Sequence, residues 1–144
     1  MNPRFNHTKA YPEAFQTMLK NEEFAQKSGI EPKLYELIKI RVSQINGCAF
    51  CLDMHTSDTR KAGEEEKRIY LLNAWREASF YSDKEKAALE LAEEVTLISK
   101  NGVSDACYEK VRKHFDEREF VSLIFLINTI NSWNRIAVST GMGV

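Results

Sequence analysis

Two cysteines and a histidine are spaced so that one helix would place all three side chains on the same face. Cys48 and Cys51 are three positions apart, and His55 follows four positions later. Residues three and four apart on a helix are neighbours. The positive end of a helix also lowers the pKa of a thiol in such motifs from about 8.5 to between roughly 3.5 and 7.5. The pattern therefore predicts a thiolate at neutral pH, a second thiol that can close a disulfide with it, and an imidazole that can move protons.

Three other interpretations of these residues stay open. A Cys-x-x-Cys pair and a histidine can be ordinary core residues, because free cysteine is a common buried residue. Cys48, Cys51 and His55 with one carboxylate would also make a tetrahedral zinc site. Structural zinc sites usually draw a second close pair of ligands from elsewhere, whereas the remaining cysteine and histidines are isolated in this sequence: Cys107, His7 and His114. We therefore predict no metal, and keep a redox-sensing or zinc-binding helical module without peroxidase turnover as the rival to an enzyme.

Composition predicts a folded protein and excludes several functions. The 144 residues are 43% hydrophobic and 28% charged, with a formal net charge of -1, which is typical of a globular domain. We expect one domain over residues 1–144. The sequence has no basic patch of the kind that binds nucleic acid. Its longest apolar run, residues 123–127, is far shorter than the roughly 18 residues that a membrane span needs. With no apolar run in residues 1–10, a secretory signal is not expected, and we predict a cytoplasmic protein without membrane association.

Helix signals dominate the chain, and they predict an all-α, single compact domain of six to seven helices. The predicted helices begin near Pro12, Pro32, Cys48, Glu64, Ser82, Ser104 and Asp116. Asn46-Gly47 is a stop signal directly before the thiol pair. The last helix is apolar on more than one face, so we predict that it is the central core helix, that it lies in a subunit interface, or both.

Two further groups of residues carry weaker predictions. Cys107 follows a potential Ser104 cap, and we expect a packing or surface residue that could be moderately acidic. Asn128, Asn131 and Asn134 recur every three positions in the last helix. If buried, they should be hydrogen-bonded, either to neighbouring helix ends or a subunit contact, or as part of the thiol pocket.

At the thiol pair the sequence resembles the AhpD-like alkylhydroperoxidase family, also called the carboxymuconolactone decarboxylase family. The family motif is a glutamate, a Cys-x-x-Cys starting twelve positions later, and a histidine four residues after the second cysteine. The matching residues here are Glu36, Cys48, Cys51 and His55. The local sequences of residues 45–51 and 131–135 are also similar to the family, and the likeness extends over roughly residues 12–141.

The resemblance implies an AhpD-like all-α fold, a homo-oligomer (a trimer or hexamer), and peroxidase chemistry without a cofactor. By this resemblance Cys51 attacks a small hydroperoxide, Cys48 resolves the sulfenic acid as a disulfide, and Glu36 with His55 forms a proton relay. A thioredoxin-like or lipoyl dithiol protein would then reduce the disulfide.

One position departs from the family's hydroperoxidases, which carry another histidine where this chain has Phe50. Phenylalanine cannot relay protons, so either the peroxidase activity is weaker or the substrate differs. The lactone decarboxylases of the wider family generally lack the thiol pair, which disfavours that activity here.

Overall fold

The computed structural model describes residues 3–144, and within that range it contains helices and turns but no β-strand. This confirms the all-α prediction. In chain order the helices are α1 (His7–Ala10), α2 (Pro12–Lys27), α3 (Pro32–Asn46), α4 (Ala49–Lys61), α5 (Glu66–Tyr70), a 3-10 helix (Leu72–Glu77), α6 (Asp83–Thr96), α7 (Ile98–Asn101), α8 (Asp105–Arg112) and α9 (Glu117–Thr140).

The described residues form ten helices, so the predicted number of six to seven was wrong. The predicted helix over residues 64–77 is divided into α5 and the 3-10 helix. The predicted helix over residues 82–102 is interrupted at Leu97, whose φ of -101° and ψ of 35° separate α6 from α7. The unpredicted α1 is a single turn, capped by the Asn6 side chain. Hydrophobic periodicity continues across such one-residue breaks and therefore does not reveal them.

The predicted helix starts and stops are largely present. Ser82 with Glu85 and Asp116 with Glu119 form the two expected capping boxes. Each satisfies backbone N–H groups that a helix start leaves without partners. Gly47 ends α3 with a φ of 64°, in the left-handed region that favours glycine.

Helix α3 lies at the centre of the fold, where α4, α6 and α9 pack against it. Its apolar residues from Leu34 to Val42 are almost fully buried, and so are those of α9 that face it. The α9 members of this core are Leu123, Leu126, Ile127 and Ile130. Other apolar residues of α9 stay exposed, so this helix is both a core element and an apolar edge. Among residues 3–144 no helix combines the length and apolar character needed to cross a membrane.

Candidate functional site

Cys48 and Cys51 form a disulfide at the N-terminal end of α4. Cys48 is the N-cap residue rather than the first helical residue as predicted, because its backbone is extended, with a φ of -89° and a ψ of 96°. Its sulfur accepts the backbone N–H of Cys51 at 3.3 Å. Both side chains are buried, with exposed fractions of 1% and 2%. The N-cap position therefore directs a helix N–H toward one of the two sulfurs.

The turn before α4 fixes where the disulfide lies. Gly47 takes the left-handed conformation, and the next residue, Cys48, donates its backbone N–H to the carbonyl of Ser43 at 3.1 Å. This hydrogen bond returns the chain to the last turn of α3. The thiol pair is therefore held directly against the end of the central helix.

A buried amide network fastens the same end of α3 to α9. The Asn46 amide donates to the side-chain oxygens of Asn131 at 2.9 Å and Asn134 at 3.0 Å. In turn, Asn134 donates to the Ser43 hydroxyl at 3.0 Å, and Asn131 donates to the Thr96 hydroxyl at 3.1 Å. The prediction that these asparagines satisfy a neighbouring helix end is confirmed for Asn131 and Asn134.

Glu36 and His55 form a pair across α3 and α4. His55 lies one helical turn beyond Cys51 on the same face, and its Nδ1 is 3.3 Å from Glu36 Oε2. Neither atom has a hydrogen-bond partner among residues 3–144. His55 is buried, whereas 27% of the Glu36 side chain is exposed. The pair can hold a proton close to the sulfurs and exchange it toward solvent through Glu36.

The four residues singled out from the sequence therefore lie in one region: three on α4 and its cap, and one on the facing turn of α3. An apolar wall lies against the sulfurs, and two of its members, Ala137 and Met142, were not predicted from the sequence. Phe50, Ala137 and Met142 pack in a cluster with the two cysteines. Met142 follows the end of α9, and only the packing of that helix brings it to the thiols.

Cys107 is not part of this site. It is fully buried on α8, where its backbone N–H donates to the Ser104 hydroxyl at 3.1 Å. Burial, with a hydrogen bond to the Glu94 carboxylate, raises the pKa of Cys107 to about 12. The expectation of a moderately acidic thiol was wrong, because desolvation outweighs the effect of the helix start. Asn128, the third asparagine of the series in α9, is exposed and outside the amide network.

Over residues 3–144 the structure contains no group of three or more histidine, cysteine, aspartate or glutamate side chains arranged to hold a metal ion. Cys48 and Cys51 are bonded to each other, so neither sulfur is a free thiolate ligand here.

Comparison with known proteins agrees with the resemblance seen in the motif. The model of the carboxymuconolactone decarboxylase family matches residues 10–94. The chain belongs to the carboxymuconolactone decarboxylase family. The matched range includes Glu36, both cysteines of the disulfide and His55.

Two relatives match this family member over nearly its whole length. The uncharacterized protein YdfG of Bacillus subtilis is 53% identical over 141 residues, which are 98% of this chain and 96% of that protein. A crystal structure from Agrobacterium tumefaciens superposes with a TM-score of 0.94 at 43% identity, covering 97% of this chain and 96% of the other. That protein is of unknown function and is provisionally named as the antioxidant defence protein AhpD.

A shorter match points in the same direction. The alkyl hydroperoxide reductase AhpD of Hyphomonas neptunium is 44% identical over 41 residues, which are 28% of this chain and 23% of that protein. Membership of the carboxymuconolactone decarboxylase family, with relatives named for AhpD, indicates an antioxidant-related role. The family also includes decarboxylases, so membership alone does not assign a reaction.

Proposed function

We propose that this protein is a thiol-dependent hydroperoxide reductase. The observation that carries the proposal is the disulfide at the start of α4, with His55 one turn away and Glu36 3.3 Å from that histidine. Two sulfurs that already form a bond can serve as the attacking and resolving thiols of one catalytic cycle.

In the proposed first step, His55 accepts the proton of the Cys51 thiol, and Glu36 holds the resulting imidazolium. The Cys51 thiolate attacks the terminal oxygen of a hydroperoxide, and the O–O bond breaks. The leaving alkoxide takes the proton back from His55 and departs as an alcohol. Cys51 is oxidised to a sulfenic acid, and the peroxide is reduced.

In the second step, Cys48 attacks the sulfur of the Cys51 sulfenic acid. A disulfide forms, and water leaves. The N–H of Cys51, which donates to the Cys48 sulfur, favours the thiolate form needed for this attack. A thioredoxin-like or lipoyl dithiol then reduces the disulfide by two thiol exchanges and leaves as a disulfide itself.

Turnover by cysteine variants tests the proposal. We expect wild-type protein to reduce cumene hydroperoxide with dihydrolipoamide as the electron donor, measured as NADH consumption when lipoamide dehydrogenase recycles the donor. Cys51→Ser should lower kcat/KM at least 100-fold, because it removes the attacking sulfur. Cys48→Ser should turn over more slowly than wild type, because no disulfide can form within the chain and the donor must reduce the Cys51 sulfenic acid directly.

The matched control is Cys107→Ser, which removes a buried thiol outside the site and should keep turnover within about twofold of wild type. Wild-type turnover in Cys51→Ser would contradict the assignment of the attacking thiol. If the wild type turns over none of several hydroperoxides with thioredoxin or dihydrolipoamide, the enzyme proposal is wrong, and a redox-sensing module is the remaining interpretation.

A further inference from the structure

A groove of about 710 Å³ opens beside Glu36, and neither Cys48 nor Cys51 lines it. Its walls are the connection from α2 to α3, the first turns of α3, and the end of α4 with the turn that follows. Cavities of roughly 300 to 1,000 Å³ are the usual size of small-molecule sites. Glu36 is the member of the thiol site that lines this groove.

Polar atoms in the walls of the groove lack hydrogen-bond partners within the part of the chain that the structure describes. Thr59 and Glu64 both line it, and each is only 2% exposed. Thr59 Oγ1, Glu64 Oε2 and Glu36 Oε2 are buried with no hydrogen-bond partner among residues 3–144. A buried polar atom left unpaired costs about 1 to 3 kcal/mol, and more if it is charged. Glu36 Oε2 faces His55 Nδ1 at 3.3 Å, so the two atoms without a facing partner are those of Thr59 and Glu64. Two such atoms in the walls of one groove indicate hydrogen bonds to a molecule that enters it.

In Glu64, only one of the two carboxylate oxygens lacks a hydrogen-bond partner. Its Oε1 accepts from the Arg68 side chain at 2.9 Å and from the Glu65 backbone N–H at 3.0 Å. The other oxygen, Oε2, accepts no hydrogen bond from any residue in the range 3–144. The side chain is therefore held in place by its own fold, with one acceptor left over.

The charge of the groove selects what can enter. Four carboxylates and one lysine line it: Glu31, Glu36, Asp58, Glu64 and Lys33. Glu31 is paired with Lys84 at 3.2 Å, whereas Asp58 forms no ion pair within the described range. An anion would face like charges here, and the unpaired oxygen of the Glu64 carboxylate requires a donor, while the Thr59 hydroxyl can accept from the same group.

We propose that this groove binds a small organic cation: an ammonium or guanidinium group on a short apolar body. Such a group carries several N–H donors and no acceptor, and its hydrogen bonds to carboxylates are the strong, charge-assisted kind. The apolar body would lie against Ile30, Pro32 and Ala62 in the walls of the groove. The cation would donate to Glu64 Oε2, Thr59 Oγ1 and the Glu36 carboxylate.

Occupancy of this site has a consequence that depends on the proposed function. A cation beside Glu36 stabilises its carboxylate anion and makes it a weaker proton acceptor for His55. The bound amine would then slow the proton relay, and so thiol oxidation by peroxide. Binding itself does not depend on the enzyme proposal.

Three four-carbon probes that differ in charge test the site: n-butylammonium, 1-butanol and butyrate. We expect n-butylammonium to shift the backbone amide NMR signals of residues 30–36 and 58–64 in the ¹⁵N-labelled protein. It should bind at least fivefold more tightly than 1-butanol, and butyrate should not bind. Equal binding of butyrate and n-butylammonium at constant ionic strength, or shifts scattered outside the groove, would overturn the proposal.

Variants locate the contact. Glu64→Gln should weaken n-butylammonium binding about tenfold, since it removes a charge-assisted acceptor. Thr59→Val removes an unpaired oxygen without changing charge and should weaken binding about threefold. Glu109→Gln, an exposed carboxylate on α8, is the matched control and should bind as wild type does. Unchanged affinity in both groove variants would place the ligand elsewhere and overturn the proposal.

Turnover separates this proposal from the proposed function. With cumene hydroperoxide as substrate, n-butylammonium should inhibit half-maximally at its dissociation constant from NMR. Binding at the groove without inhibition would keep the site and refute its coupling to Glu36. A protein that binds n-butylammonium but never turns over would refute the enzyme proposal alone.

Discussion

The two sulfurs of the thiol pair have different surroundings, and this difference supports different proposed roles. The Cys48 sulfur accepts a helix N–H, whereas Cys51 has His55 one turn further along α4. A hydrogen-bonded sulfur suits the resolving thiolate, and a neighbouring imidazole suits the thiol that must lose its proton to attack. The third cysteine has neither feature and is buried beside a carboxylate.

Cys107 should therefore resist alkylation in the folded protein. Its raised pKa of about 12 keeps the thiol protonated at neutral pH. In reduced native protein, iodoacetamide should modify Cys48 or Cys51 at pH 8 and leave Cys107 unmodified, as read by peptide mass spectrometry. The Cys107 rate should stay low from pH 7 to 9 and increase only after denaturation. Modification of all three cysteines at equal rates in native protein would contradict this account.

Phe50 is the position at which a single substitution should increase activity. It packs against the thiol pair, so Phe50→His would place a second imidazole beside the sulfurs. General acid–base groups contribute about 10² to 10⁴ in rate, and because His55 is already present we expect a smaller gain of about tenfold in kcat/KM.

Phe50→Leu keeps an apolar side chain at the same position and is the control, with kcat/KM expected within about twofold of wild type. Stopped-flow oxidation of the reduced protein by cumene hydroperoxide measures both variants at pH 7. An equal or lower rate for Phe50→His would show that the lack of a histidine at this position does not limit the rate of thiol oxidation.

Among the helices, the end of α3 holds the site together. Gly47 turns the chain, Cys48 caps α4, and the amides of Asn46, Asn131 and Asn134 join this turn to α9. The α9 side of this network is internal: Asn134 is 0% exposed and Asn131 is 4% exposed, whereas Asn46 is half-buried. Breaking a buried network of this kind costs free energy, because the remaining polar groups lose their hydrogen bonds and cannot form new ones with water.

Asn134→Leu should lower the free energy of unfolding by about 2 to 4 kcal/mol, because the Ser43 hydroxyl and part of the Asn46 amide would be left unpaired. Urea denaturation, monitored by circular dichroism, measures this free energy of unfolding. Asn128→Leu, on an exposed position of the same helix, is the matched control and should change stability by less than about 0.5 kcal/mol. Equal effects of the two substitutions would show that the network contributes little.

The sequence predicts local features of the site better than distant ones. The Gly47 stop and the Ser82 and Asp116 caps depend on residues within four positions, so their types alone identify them. The pairing of Glu36 with His55 could be anticipated only from the resemblance to a family. Contacts set by packing, such as Asn46 with Asn134, are 88 residues apart and leave no periodic pattern.

The molecule as a whole leaves an apolar surface uncovered. Phe24 of α2 and Phe125 of α9 are 52% and 45% exposed, and their ring centroids are 5.3 Å apart. Val121, one helical turn before Phe125 on α9, is 51% exposed. Exposed apolar patches of this kind often mark subunit contacts. We propose that residues 1–144 form one domain and that it associates through this surface into a trimer or hexamer.

Light scattering after size-exclusion chromatography should give a mass three or six times the 16.6 kDa of the chain. Phe125→Glu should reduce the mass to that of the monomer, because a carboxylate would be buried at the contact. Tyr70→Glu, at a 69% exposed aromatic on α5, should leave the mass unchanged. A monomeric wild type would refute the association.

The most direct measurement of the central claim is the position of the first oxidised sulfur. In the Cys48→Ser variant the resolving thiol is gone, so a sulfenic acid formed on Cys51 should persist long enough to be trapped. After one equivalent of cumene hydroperoxide and excess dimedone, mass spectrometry should find the adduct on Cys51 and none on Cys107. An adduct on Cys107 alone, or none on any cysteine while the peroxide is consumed, would contradict the claim that Cys51 carries the chemistry.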